Sequence, residues 1–207
     1  MTTTDTPRTR AGFIAILGAP NVGKSTLVNR LVGAKVSIVS PKVQTTRTRV
    51  LGIFIEGEAQ VILVDTPGID EIDADGRARL AGRIALEADL VLLVIDSDLS
   101  RCDREALETL QSCGKPLQLV LNRSDRWPEA ELATLGDSIR RRLPRDLPVT
   151  AVAAAPRRPV LDAEGRPRSE AAPSEVGMLR KQLHQLLEEN RAFGHTDYQR
   201  IDEHGAD

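Results

Sequence analysis

Gly18-Ala19-Pro20-Asn21-Val22-Gly23-Lys24-Ser25 is the stretch whose reading decides the fold. It fits G-x-x-x-x-G-K-[ST], a loop whose backbone amides cradle the phosphates of a nucleoside triphosphate. Its flanks agree. Residues 13–17 form a short apolar run that reads as a strand, and residues 24–32 read as a helix. In that helix Leu27 and Leu31, and Val28 and Val32, stand four apart on one face. A strand, a Gly-rich turn and a helix together aim several N–H groups at one point, where the helix dipole adds its positive end. Gly18 and Gly23 spare the turn the Cβ atoms that would block a close phosphate approach. Lys24 is placed to neutralise phosphate charge, and the Ser25 hydroxyl to bind Mg²⁺.

A second signal follows in Val61-Ile62-Leu63-Val64-Asp65-Thr66-Pro67-Gly68. An apolar strand ends in an acid and continues as D-x-x-G, about 40 residues past the phosphate loop. Asp65 can there hold a Mg²⁺-bound water, and the Gly68 N–H can meet a γ-phosphate. The third signal is Asn122-Arg123-Ser124-Asp125, directly after the apolar run 117–121. It resembles N-K-x-D, the guanine-reading tetrad of GTPases. A carboxylate at Asp125 accepts from guanine N1–H and the 2-amino group, two adjacent donors that adenine lacks. Arg123 stands where the tetrad has Lys, with a different reach and a planar fork. Thr150-Ala151-Val152 stands where these proteins have Ser-Ala-Leu or similar, so the Ala151 N–H is expected to donate to guanine O6.

Around these motifs strands and helices alternate. Residues 50–55 and 60–64 read as strands joined by a Glu56-Gly57-Glu58 hairpin. Residues 75–87 read as an amphipathic helix, and 90–95 as a central parallel strand apolar throughout. Helices are expected over 101–112, 129–143 and 178–187, and a strand over 148–153. The pattern predicts an α/β fold, a P-loop NTPase domain of GTPase type. Its six-stranded, mostly parallel sheet carries helices on both faces, with residues 50–55 as the antiparallel edge. Domain limits are read as a disordered N-terminal tail over 1–10, the GTPase domain over 11–190 and a polar tail over 191–207. Residues 155–176, rich in Pro, Arg, Glu and Ser, read as a long mobile surface loop.

Composition narrows the classes. The 207 residues are 41% hydrophobic and 28% charged, enough for one α/β domain with a sizeable core. Aromatics make up 2%, so the core must rest on Val, Ile, Leu and Ala. A formal net charge of −2 gives no global basic field for nucleic acid. Cys102 and Cys113, on one expected helix, would stand ~16 Å apart along its axis, too far for a disulfide. That fits a reducing cytoplasm. No apolar run approaches the ~20 residues that span a bilayer, and residues 1–10 lack the apolar core of a secretory signal. His184, His195 and His204 show no metal-ligand spacing. The cluster Arg140-Arg141-Arg142 with Arg145 reads as a solvated helix end, and Trp127 as a packing anchor.

Between the two phosphate motifs lies Ser40-Pro41-Lys42-Val43-Gln44-Thr45-Thr46-Arg47-Thr48-Arg49. The phosphate loop with Pro20-Asn21, this Gln-Thr-Thr-Arg-x-Arg run and Asp-Thr-Pro-Gly-Ile together resemble the Era family of bacterial GTPases, over residues 10–155 and the last helix. The resemblance implies Mg²⁺-dependent hydrolysis of GTP to GDP and phosphate in a nucleotide-controlled switch, with 37–49 and 69–80 as the switch segments. It makes Thr46 the Mg²⁺ ligand, with Thr45 in reserve. It implies Lys24, Thr46 and Gly68 as catalytic residues. It places the nucleotide on Asn21, Val22, Gly23, Lys24, Ser25, Thr26, Asn122, Arg123, Asp125, Thr150 and Ala151. Ser25 and Thr46 are the metal ligands it implies, with Asp65 behind a metal-bound water and Asn21 as part of a K⁺ site. Ile69 follows D-x-x-G where other GTPases carry a catalytic Gln, and an alkyl chain cannot orient water. A protein or ribosomal partner is implied too. The family's RNA-binding KH domain is not expected here, because no G-x-x-G clamp follows Gly177. The alternative is a non-hydrolysing nucleotide-binding module that docks a protein or RNA. An ATP-using P-loop kinase is disfavoured by Asp65-Thr66-Pro67-Gly68 and Asp125.

Overall fold

The computed structural model describes residues 10–33, 51–57, 59–65, 76, 87–112, 114–144 and 146–190. Its elements run β1 (Arg10–Gly18), α1 (Lys24–Val32), β2 (Leu51–Glu56), β3 (Ala59–Asp65), β4 (Leu90–Ile95) and α2 (Arg101–Ser112). They continue with β5 (Leu117–Leu121), a 3-10 turn (Ser124–Arg126), α3 (Glu129–Arg141), β6 (Val149–Ala151), β7 (Arg157–Leu161), β8 (Pro167–Ala171) and α4 (Gly177–Glu189). The expected helix over 75–87 lies outside the described residues except for Gly76 and Glu87, as do Cys113 and both tails apart from Arg10, which opens β1.

Six strands form one sheet in the order β2-β3-β1-β4-β5-β6. Every neighbouring pair is parallel except β2 with β3, which is the antiparallel edge hairpin. The sheet is covered on both faces, and its strands show why. β4 and β5 are buried at every position, as a central parallel strand must be when helices pack on both sides. Alternation along β1 divides the core. Ile14 and Ile16 face Leu27 and Leu31 of α1 and Leu179, Leu183 and Leu187 of α4. Ala15 and Leu17 face the other way, toward Leu107 and Leu110 of α2 and Ile139 of α3.

Local signals set the ends of the helices. α1 stops at Gly33, whose φ of 75° closes the last turn with its N–H on Asn29 O at 3.1 Å. α2 starts on a reciprocal cap. Ser100 N–H donates to Asp103 Oδ2 at 2.9 Å, and Asp103 N–H donates back to Ser100 Oγ at 3.1 Å. Gly52 lets α1 lie close on the edge strand, because a Cβ there would meet Val28 Cγ1 at 2.8 Å and Val32 Cγ2 at 2.9 Å.

Residues 155–176 are not one irregular loop. They contain the antiparallel hairpin β7–β8, with Arg158 opposite Glu170 and Leu161 opposite Pro167. Apolar burial does not hold it, since nine of its ten strand positions are exposed. Polar chemistry does. The Arg157 guanidinium donates to Ser169 Oγ at 2.7 Å and Ser169 O at 2.6 Å, and Arg158 pairs with Glu170 at 3.1 Å. At the turn Asp162 accepts from the N–H groups of Glu164 and Arg166, and Gly165 supplies a φ of 76°. β6, the last strand of the six-stranded sheet, is also shorter than the run 148–153, covering only Val149–Ala151.

Candidate nucleotide site

Parallel strands bring their C-terminal ends to one rim of the sheet. Gly18 ends β1, Asp65 ends β3, Ile95 ends β4, Leu121 ends β5 and Ala151 ends β6. The motifs separated in sequence therefore open from neighbouring strand ends.

The first piece is the loop from β1 to α1. Asn21 adopts a φ of 63° and Gly23 a φ of 91°, left-handed conformations that fold the backbone into a concave turn. A Cβ at Gly18 would sit 2.2 Å from Val94 O, and one at Gly23 would sit 2.5 Å from Asn122 Nδ2. Both glycines are sterically required. Lys24 lies back over its own loop, with Nζ donating to Gly18 O at 2.9 Å and Ala19 O at 2.8 Å. The first turn of α1 carries no acidic residue, so nothing there opposes the dipole's attraction for an anion.

The second piece is the tetrad after β5. Asn122 is 1% exposed, and both ends of its amide are used within the protein. Nδ2 donates to Val22 O at 2.8 Å, and Oδ1 accepts from the Ala154 N–H at 3.3 Å. It thus ties the phosphate loop, the tetrad and the segment after β6 together. Arg123 has a φ of 58° and heads the 3-10 turn Ser124–Arg126, which leaves Asp125 exposed at the surface. The Arg123 guanidinium pairs with Asp96 at 2.7 Å. Asp125 Oδ2 accepts from the Arg157 N–H at 3.4 Å. Asp125 and Ser124 also border a hollow of about 440 Å³ with Ala153, Pro156, Ala172, Pro173 and Glu175.

Thr150 and Ala151 do not join this group. Thr150 is buried inside β6, where its hydroxyl donates to Gln182 Oε1 at 2.7 Å and accepts from Gln118 Nε2 at 2.9 Å. Ala151 is paired in the sheet opposite Leu121. The backbone beside the tetrad comes two to three residues later. Ser124 N–H donates to Val152 O at 3.0 Å, and Ala153 and Ala154 follow. The sequence signal available was the Val152-Ala153-Ala154 run, whose start coincides with the end of the strand. Val22 is buried and Thr26 exposed, at either end of the phosphate loop's turn into α1. Thr45, Thr46, Gly68 and Ile69 lie outside the described residues, as do the switch segments except for Gly76, and Asp65 is described by its backbone alone.

Two arginines of the basic cluster at the end of α3 are paired with acids. Arg142 meets Asp98 at 3.1 Å and Arg140 meets Asp137 at 3.7 Å. Trp127 is half-buried, and its backbone N–H closes the 3-10 turn on Ser124 O. Among the described residues no group of three His, Cys, Asp or Glu could hold a metal ion. Among the described residues no helix is long and apolar enough to cross a membrane.

The model for a family described as 50S ribosome-binding GTPase matches residues 13–123. GTPase Era of Mesorhizobium japonicum is 47% identical over 148 residues, which cover 69% of this chain and 47% of that protein. GTPase Era of Rhizobium meliloti is 50% identical over 136 residues, 61% of this chain and 42% of that protein. The chain thus spans about half the length of the curated relatives it matches. Among solved structures, Era in complex with MgGDPNP and nucleotides 1506–1542 of 16S ribosomal RNA aligns with a TM-score of 0.68 at 31% identity, covering 95% of this chain and 61% of that one. Aquifex aeolicus Era bound to GDP.AlF4- aligns with a TM-score of 0.65 at 33% identity, covering 89% and 57%.

The Asn122 tie makes a direct prediction. Asn122→Ala leaves Val22 O and the Ala154 N–H without their partner. It should cost the nucleotide-free chain about 1–3 kcal/mol in urea unfolding. A loss below about 0.5 kcal/mol would mean the three loops hold their places without it.

Proposed function

The chain belongs to the 50S ribosome-binding GTPase family, and from that premise we propose that it binds GTP with Mg²⁺ and hydrolyses it slowly to GDP and phosphate, as a nucleotide-controlled switch. One observation carries the reading. The Asn122 side chain, bonded to Val22 O at 2.8 Å, holds the guanine tetrad against the phosphate loop, so one ligand with a base and phosphates can engage both.

The roles follow from the chemistry. The Gly23, Lys24 and Ser25 amides receive phosphate oxygens at the head of α1, and Lys24 moves its ammonium from its own loop carbonyls to phosphate. The Ser25 hydroxyl and Thr46 would hold Mg²⁺, with Asp65 accepting from a metal-bound water. The bound ion would supply positive charge against the negative charge of the phosphates. Asp125 accepts from guanine N1–H and N2–H. The Ala153-Ala154 backbone, in place of Thr150 and Ala151, supplies the donor to guanine O6. The Thr46 and Gly68 backbone would orient the attacking water. Asn21 would help hold K⁺ beside the phosphates, so turnover should be faster in potassium than in sodium.

A ribosomal partner, with the chain in the cytoplasm, is the further part of this reading. It rests on the family's description and on the relative solved with 16S ribosomal RNA. Co-sedimentation with ribosomal particles should occur with a non-hydrolysable GTP analogue and fall with GDP; sedimentation blind to the nucleotide would remove the switch.

Guanine choice is tested at Asp125. Asp125→Asn replaces an acceptor with an amide that can donate. The variant should lose at least about tenfold in GDP affinity and gain for XDP, whose C2 carries a carbonyl. Wild-type affinity for GDP should exceed that for ADP at least about a hundredfold. Equal binding of GDP and ADP, or GDP affinity unmoved in Asp125→Asn, would overturn the reading.

A further inference from the structure

Arg123 and Asp96 leave the sheet side by side. β4 and β5 are parallel neighbours with Ile95 opposite Leu121, and the Asn122 N–H donates to Ile95 O at 2.8 Å. Asp96 and Arg123 are the residues next along. Asp96 Oδ2 stands 2.7 Å from Arg123 Nη1, with the two side chains 25% and 31% exposed. Arg126 Nη1 approaches the same oxygen at 3.9 Å. The Arg123 guanidinium also lies near the phosphate loop, since a Cβ built on Gly23 would lie 3.8 Å from Arg123 Nε. The guanidinium therefore spans from the loop at Gly23 to the carboxylate of Asp96. The left-handed φ of 58° at Arg123, uncommon for a non-glycine residue, sets the direction in which its side chain leaves.

We propose that Asp96 is the positioning residue for Arg123, holding its guanidinium as a flat wall of the nucleobase site. This inference rests on the guanine-nucleotide reading above. The chemistry explains the residue type. A lysine at this position would present a flexible stem with a compact charge, whereas a guanidinium is planar and can stack on a base. A plane is useful only when its orientation is fixed, and a half-buried carboxylate bonded to one edge fixes it. Asp96 and Arg123 then act as a unit. An arginine without its acid is misaimed, and an acid facing a lysine has no fork to grip.

The test uses the full chain and a fluorescent GDP whose dissociation rate is followed. Asp96→Asn should weaken GDP binding about tenfold, mostly through faster dissociation. Asp96→Glu, which keeps the carboxylate, should recover affinity to within about threefold of wild type. The nucleotide-free melting temperature should stay the same in both, which separates positioning from folding. The double variant Asp96→Asn/Arg123→Lys should bind no more weakly than Arg123→Lys alone, because the two residues share one effect. GDP affinity of Asp96→Asn within twofold of wild type, or losses that multiply in the double variant, would overturn the proposal. If Asp96→Asn does not fold, Arg123→Lys alone decides. A loss of at least fivefold supports the fixed plane, and unchanged affinity refutes it. A wild-type chain that binds no guanine nucleotide would sink the underlying reading as well. Tight wild-type binding unmoved by these changes would sink this inference alone.

Discussion

The buried amide of Asn122 is the constraint on which the site depends. Its Nδ2 holds Val22 O and its Oδ1 takes the Ala154 N–H, so the turns leaving β1, β5 and β6 share one side chain. An amide at 1% exposure cannot satisfy these groups with water instead. The same closeness forces Gly23, where a Cβ would strike Asn122 Nδ2. Two motifs nearly a hundred residues apart are thus one steric object. The parallel sheet supplies the coarse placement and the amide supplies the fine one.

Charge is arranged on the same rim. The turn into α1 gathers Lys24 and the positive end of a helix dipole, with no acid in the first turn. The arginines near the tetrad are paired, Arg123 and Arg126 with Asp96 and Arg142 with Asp98. The outcome is a phosphate cradle whose cation turns onto its own carbonyls, beside a base end whose cations are held by acids. A polyanion with a flat base suits both halves. The β7–β8 hairpin adds a border at the base end, because the Arg157 N–H touches Asp125 and the hairpin's flanks line the adjoining hollow.

Much of this was legible in the residues, for identifiable reasons. The phosphate loop is read from a strict spacing that steric need imposes. Leu27, Leu31, Leu179 and Leu183 reveal α1 and α4 because a helix with one buried face must repeat at three and four. The apolar runs 90–95 and 117–121 reveal central strands for the matching reason. The hairpin escaped because cross-strand ion pairs and arginine-to-serine bonds hold it, leaving no apolar alternation to see. Its one visible sign was the Asp162-to-Gly165 turn. Thr150 misled because a hydroxyl beside an Ala resembles a base-contact motif, while its actual partners, Gln118 and Gln182, come from β5 and α4. No local pattern encodes a polar triad assembled from three elements.

The central claim is catalytic, and phosphate release is its direct measure. Purified chain with Mg²⁺ in potassium buffer should release phosphate from GTP slowly and not from ATP, and Lys24→Ala should abolish the release. Exchange of potassium for sodium should lower the rate. GTP bound but left intact by the wild-type chain would contradict the account, as would ATP turned over equally well, or turnover that survives in Lys24→Ala.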